Sequence, residues 1–243
     1  PDEPKVLATM QLIFRPDGTR NYLTDITNDS FLNYTGRIGI ELRGSSSQAL
    51  DKKPYGFTTL LEDDDSNNNV SLVGMPPEND WVLNSLAFDP SMVRDYLSYT
   101  LASNMGNYAP RVQYIEVIVN DDYKGVYILT EKVKRDSDRV NLKKIADSDT
   151  SFPEVTGGYI VKADKVTGGD EVAWTMPNYG GWDTNFLHHY PKTEDITGEQ
   201  ANYIETVFYD LADQTNPANT SIIDGYPSMI DIPSFVDYIL MAE

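Results

Sequence analysis

Residues 81–133 read WVLNSLAFDPSMVRDYLSYTLASNMGNYAPRVQYIEVIVNDDYKGVYILTEKV, a helix followed by a tight β-hairpin. Asp89 carries the side chain of a helix cap, Pro90 fits a first turn, and Gly106 stands where a left-handed terminating residue is wanted. Between them Val93, Tyr96, Leu97, Thr100, Leu101 and Met105 recur every three to four residues, which predicts a helix of about four turns with one apolar face. Arg94, Asp95 and Ser98 leave the other face polar. Beyond it Ile115, Val117 and Val119 alternate with Tyr114, Glu116 and Ile118, the turn NDDYKG follows, and Val126–Leu129 returns the chain. A strand pair apolar at nearly every position is covered on both faces, and the preceding helix is the obvious cover for one.

Around this centre the chain has 243 residues, enough for one large domain or two modest ones. An apolar fraction of 40% with 16 Tyr is richer than a flexible polar chain would carry. Lys and Arg number 19 against 38 Asp and Glu, a net charge of −19. That field favours solubility, and it speaks against nucleic-acid binding over a broad surface. Any anionic ligand must therefore be held by a local basic cluster. With no Cys there is neither a disulfide framework nor thiolate chemistry, and no apolar run approaches the roughly 20 residues of a membrane span. The chain opens PDEPKV without Met and closes inside an apolar helical pattern, so it is expected to be a piece of something longer from which a leader, a tag or a larger parent sequence has been removed.

Working outward, strands are predicted at Val6–Phe14, Arg37–Leu42 and Phe57–Leu61, with a turn at Pro16-Asp17-Gly18 and a loop, FLNYTG, before the second. Asn28, Asn33, Asn69 and Asn219 begin glycosylation sequons, a motif short enough to arise by chance. Asp63, Asp65, Asn67 and Asn69 alternate as calcium-loop ligands would. The loop lacks Gly at its sixth position and has Gly74 rather than Glu at its twelfth, which makes it a solvated hairpin tip. Lys132, Lys134, Arg135, Arg139, Lys143 and Lys144 form the one basic cluster, read as a solvated linker face. A short strand is predicted at Tyr159–Ala163 and an irregular insertion at Thr167–Pro191. Its adjacent His188 and His189 point in different directions and make a poor metal site. A helix opening at Thr197 or Gly198 presents Tyr203, Ile204, Val207, Phe208 and Leu211. Another, capped by Asp231, is expected to turn Phe235, Val236, Ile239 and Leu240 inward.

The chain has no GxSxG, HExxH, Walker or GxGxxG motif. Three segments in order nevertheless resemble the CotH family of atypical, secreted or surface-associated protein kinases. They are Arg43-Gly44-Ser45-Ser46-Ser47 with Lys52-Lys53-Pro54-Tyr55, then Asp80-Trp81-Val82-Leu83-Asn84 with Asp89 and Arg94, and then Gly125–Lys132 followed by Gly157-Gly158-Tyr159. Order and spacing match over about residues 37–165, and the versions RGSSSQ and YGFTT resemble exported members from Bacteroides-like bacteria.

The resemblance implies an α+β, protein-kinase-like fold: an antiparallel sheet with one packed helix in residues 1–135, then a connecting segment, the insertion and the start of an incomplete helical lobe in 136–243. By analogy with kinases, Ser45 and Ser46 would offer donors to phosphate, and Lys52 or Lys53, with a slight preference for Lys53, would supply positive charge. Arg94 would be a second phosphate or carboxylate partner, and the backbone at Glu131 would hold the purine. The plainer alternatives are surface charge for both lysines, an ion pair with Asp95 or Asp89 for Arg94, and a strand-end salt bridge for Glu131. Arg43 belongs to the same set, and the proposal requires Arg43, Lys53, Arg94 and Glu131 to converge on one hollow. ATP and Mg²⁺ are implied for the intact protein, which would phosphorylate a protein at the cell surface or outside the cell. The family's Asn-x-Asp and Trp-Asp-x-Asp segments follow the helix at which this sequence stops, so these residues alone are expected to be catalytically silent. The competing expectation is a noncatalytic module binding a protein or carbohydrate partner through exposed aromatics such as Trp174 and Trp182.

Overall fold

In the computed structural model, which describes residues 4–166, 170–177, 181–215, 218 and 220–242, the chain divides into two units. One comprises Pro1–Ser103 and Ala109–Lys132, the other Asn104–Tyr108 and Val133–Glu243. The sequon at Asn219 and parts of the predicted insertion lie outside the described residues.

The first unit is built on period-two alternation. Strands β1 (Val6–Ile13), β2 (Leu32–Leu42), β3 (Tyr55–Leu60), β4 (Asp80–Asn84), β5 (Val112–Val119) and β6 (Asp122–Glu131) form one antiparallel sheet in the order β1-β2-β3-β4-β6-β5. The register Ile40↔Phe57↔Trp81↔Glu131 runs across its middle. Because side chains alternate between faces, Ile38, Phe57, Trp81, Leu83, Tyr127 and Leu129 share one buried core, which Leu72, Val73 and Met75 of the β3–β4 connection complete. Each such side chain, fully buried, contributes about 1.5–3 kcal/mol. The alternate residues of the same strands, among them Glu41, Gly56, Asp80, Val82 and Asn84, occupy the opposite face. At one end of that face the single helix α1 (Arg94–Asn104) packs Tyr96 and Tyr99 against Leu86, Val112 and Ile128.

The hairpin forms where the sequence places it, with a tighter turn. Asn120 and Asp121 adopt φ of 51° and 64°, the paired left-handed residues of a two-residue turn that matches strand twist. Asp122 is already in β6, and the Lys124-Gly125 bulge, with Gly125 at φ 86°, absorbs the rest of NDDYKG.

Other elements differ. β2 starts at Leu32, so LNYTG of the expected FLNYTG loop is strand; Gly36 there leaves room for the Tyr34 ring, whose hydroxyl would lie 2.8 Å from an added Cβ. β4 has no counterpart among the predicted elements. α1 begins at Arg94, past Pro90, and half-buries its aromatic stripe. Val93, Leu97, Leu101 and Met105 are exposed instead, because the stacking of Tyr96 on Tyr114, with centroids 4.7 Å apart, and the bond from the Tyr114 hydroxyl to Met92 O fix the helix's rotation.

The second unit contains β7 (Ile160–Ala163), β8 (Trp174–Pro177) and β9 (Asp183–Tyr190), paired in the order β7-β9-β8. The predicted insertion thus holds two strands. Trp174 stacks on Phe186, and both meet Phe208 of α2 (Gly198–Gln214). Trp174 is 5% exposed and so packs inside this unit, while Trp182 is 76% exposed. Thr197 and Gln200 cap α2 reciprocally, and the buried Gln200 amide also reaches Ala146 O at 2.8 Å and Asp149 O at 3.2 Å. Neither histidine joins a metal cluster among the described residues. His189 Nε2 contacts Val133 O, and His188 lies against Trp174. In α3 (Ile232–Ala242) the residues expected to face inward are exposed: Phe235, Val236, Ile239 and Leu240 retain 45–68% of their surface. The described residues bury no side chain of this helix below the surface. No helix among the described residues is long and apolar enough to cross a membrane.

Candidate functional site

The face of the first sheet opposite its core carries a cavity of about 340 Å³, inside the roughly 300–1,000 Å³ of small-molecule sites. Three pieces line it: Arg43, Gly44, Ser47 and Pro54 of the β2–β3 loop, residues 84–89 between β4 and α1, and Asp95 of α1.

The loop is closed upon itself. Arg43 N donates to Pro54 O, Gln48 Nε2 donates to Gly44 O, and Lys53 Nζ donates to Gln48 O at 2.7 Å. Gly44 sits at φ 90°, and a Cβ there would lie 2.1 Å from Ser47 Oγ, so only glycine permits this turn. On the far wall Asn84, turned to the cavity face by its register on β4, donates from Nδ2 to Asp95 Oδ2 at 2.5 Å and ties helix to sheet.

Asp89 anchors the start of α1. Its carboxylate accepts from Ser91 Oγ at 2.6 Å and from the backbone N–H groups of Ser91, Val93 and Arg94. The Ser91 hydroxyl, then these amides, hold its pKa down at about 2 against an ordinary 3.8. A depressed carboxylate contributes stability that is present above the unfolded-state value and lost as pH falls through the folded one. The stability difference between the wild type and Asp89→Asn is therefore expected to be constant above pH 3.8 and to shrink as pH approaches 2. Urea midpoints measured across that window check it.

Beside the cavity lies a notch of about 30 Å³ lined by Lys5, Glu41, Arg43, Asp80, Val82 and Lys132 among others. Arg43 is common to both hollows. Among the described residues its guanidinium makes no hydrogen bond or ion pair.

Of the residues proposed from sequence, Arg43 faces the cavity, and its loop supplies Gly44 and Ser47 rather than Ser45 and Ser46, which are exposed. Lys52 and Lys53 turn elsewhere. Lys52 Nζ donates to Val126 O and sits 4.7 Å from the Tyr127 ring, where burial pushes its pKa down. Arg94 is exposed, with Nε 3.7 Å from Asp89 Oδ1, and Glu131 is buried against Arg111. Arg43, Lys53, Arg94 and Glu131 therefore do not converge on one hollow. The lining also includes Ser47, Asn84 and Asp95, with Lys5, Glu41, Asp80 and Lys132 at the notch. Asp80 and Asn84 entered the sequence reading only through the family resemblance, and Lys5 had no local signal.

Residues 40–243 match the family model described as CotH kinase protein. The chain belongs to the CotH family. No curated protein matches it. In CotH terms the match begins inside β2, so β1, the β1–β2 connection and Lys5 precede the family region.

Proposed function

We propose that the first unit of this CotH protein presents a kinase-like nucleotide site and that the intact protein transfers phosphate from ATP to an extracellular or surface protein. The observation that carries this reading is the Arg43 guanidinium, without a protein partner among the described residues, at the mouth of a nucleotide-sized cavity in a chain of net charge −19. A planar guanidinium is suited to paired hydrogen bonds with phosphate oxygens. Asp95 and Asn84 offer acceptors and donors for sugar hydroxyls or a base edge. The lone helix packed beside the loop, and the hairpin following it, keep the kinase-like order.

ATP and a divalent cation are what family membership suggests. The cavity's volume, within the range of small-molecule sites, supports a nucleotide as its ligand. Among the described residues no three His, Cys, Asp or Glu side chains come together to hold a metal ion, so these residues are assigned no metal-dependent step. They are assigned the binding and orientation of the nucleotide.

Calorimetric titration of the chain with ATP, with and without Mg²⁺, is the test. The wild type is expected to bind, and Arg43→Ala to weaken binding about tenfold to a hundredfold, the value of one or two charge-assisted hydrogen bonds. Absence of heat with the wild type in both conditions would remove the reading.

A further inference from the structure

With the phosphates at Arg43, the base of a bound nucleotide needs a place of its own. The notch beside the cavity, at about 30 Å³, has room for about two water molecules and cannot take a heterocycle. Glu131, whose backbone the resemblance set beside the purine, lines neither hollow. The base therefore belongs in the larger cavity.

There the connection from β4 to α1 presents an aromatic ring on a turn anchored at both ends. Leu86 N donates to Asn84 Oδ1 at 3.1 Å, and Asp89 N donates to Leu86 O at 3.0 Å. Leu86 is 4% exposed and packs with Val112 and Ile128, while the Asp89 carboxylate is held by the Ser91 hydroxyl and three backbone amides. Leu86 adopts φ 57°, a left-handed backbone that a residue other than glycine keeps only where its surroundings dictate it. The turn leaves Phe88 64% exposed, the one aromatic side chain among the described residues that line the cavity. A ring held out by buried neighbours loses little freedom when a flat ligand covers it.

The same connection carries a second sign of a ligand. Ser85 is 3% exposed and lines the cavity, yet its hydroxyl makes no hydrogen bond among the described residues. Buried hydroxyls are as a rule bonded. Asp95, which takes one bond from Asn84, keeps acceptor capacity in the same cavity. A hydroxyl and a carboxylate together suit the polar edge of a heterocycle.

We infer that Phe88 is the base platform of the nucleotide site: the phosphates meet Arg43 and the base stacks on the Phe88 ring, with Ser85 and Asp95 in the same cavity for its edge. This rests on the nucleotide-binding reading above, and adds the direction in which the ligand lies and a residue that touches its base.

The experiment measures ATP affinity by calorimetry for the wild type, Phe88→Ala, Phe88→Leu, Phe88→Trp, Arg43→Ala and the Arg43→Ala/Phe88→Ala double variant, with a melting curve for each. Phe88→Ala is expected to bind about tenfold more weakly, as the loss of one base–aromatic stack implies, and to melt with the wild type because the ring is mostly in water. Phe88→Leu keeps apolar bulk without a π-face and should stay at least about threefold weak. Phe88→Trp should bind as tightly as the wild type, and the emission of its added indole should fall as ATP saturates the site. In the double variant the two losses should multiply, since the residues hold opposite ends of the ligand.

ATP affinity within twofold of the wild type in Phe88→Ala overturns the inference while leaving the nucleotide site standing. Full recovery in Phe88→Leu would reduce the contact to apolar bulk and overturn stacking. An indole at position 88 whose emission ignores bound ATP places the base elsewhere, even if Phe88→Ala has lost affinity through a lower melting temperature. A double variant no weaker than Arg43→Ala would put the ring at the phosphate end, against the inference. A wild type that binds no ATP removes both readings together.

Discussion

Trp81→Ala is expected to lower the stability of the six-stranded sheet by about 4 kcal/mol, the usual range for emptying a large aromatic from a packed core. Trp81 is 1% exposed and stands between Phe57 and Glu131 in the sheet register. Its Nε1–H donates to Glu78 O at 3.1 Å, so alanine leaves both a cavity and a buried carbonyl without that donor. Trp81→Phe restores most of the volume but not the bond, and should cost about 1–2 kcal/mol. Urea unfolding followed by far-ultraviolet circular dichroism separates the two, since the signal does not depend on the lost indole. A loss below about 1 kcal/mol for alanine would show that the core closes around the gap. The site should suffer with the core. Val82 and Asn84 hang from the other side of the same strand, and Asn84 reaches Asp95 only while β4 keeps its place between β3 and β6.

That two-sidedness explains what could be foreseen. The hairpin was legible because its signals are local: alternating apolar residues around an Asn-Asp turn define both strands without reference to the rest of the chain. β4 was not, since five residues ending in Asn84 are too short for periodicity to announce them. In α1 the sequence offers two apolar stripes, Tyr96 with Tyr99 and Val93 with Leu97 and Leu101. Spacing alone cannot choose between them; the tyrosines are the half-buried ones because Tyr114 and Ile128 stand opposite. The same limit governs the site. Arg43 was visible only through the resemblance of Arg-Gly-Ser-Ser-Ser to the CotH family, since no local pattern singles it out. Only a slight preference separated Lys53 from Lys52 on paper. Which carbonyl captures each, Val126 O for one and Gln48 O for the other, is decided by strand pairing and loop closure. Lys5 becomes a neighbour of Asp80 only through the antiparallel β1–β2–β3–β4 order.

Glu131→Ala is expected to cost about 3 kcal/mol and to leave nucleotide affinity in the folded protein within about twofold, the opposite of what a ligand-binding side chain would show. The carboxylate is fully buried while the Arg111 side chain is 48% exposed. Oε2 accepts from Arg111 N at 2.8 Å, Oε1 accepts from Nη1 at 2.9 Å, and Glu131 N donates to Arg111 O at 3.2 Å. Arg111 and Glu131 thereby extend the β5–β6 ladder one pair past Val112↔Thr130. Truncation strips the Arg111 amide of this acceptor, which sets the cost near that of breaking a buried pair. The half-exposed guanidinium can turn to water, which keeps the figure at the lower end. Glu131→Gln retains an acceptor of the same shape and should cost about 1 kcal/mol less. Unfolding midpoints for the three proteins, set beside their ATP titrations, decide the role. A tenfold loss of affinity in Glu131→Gln with stability intact would move this residue from the ladder's end to the ligand. An equal loss of stability in both variants would instead assign its whole contribution to the charge.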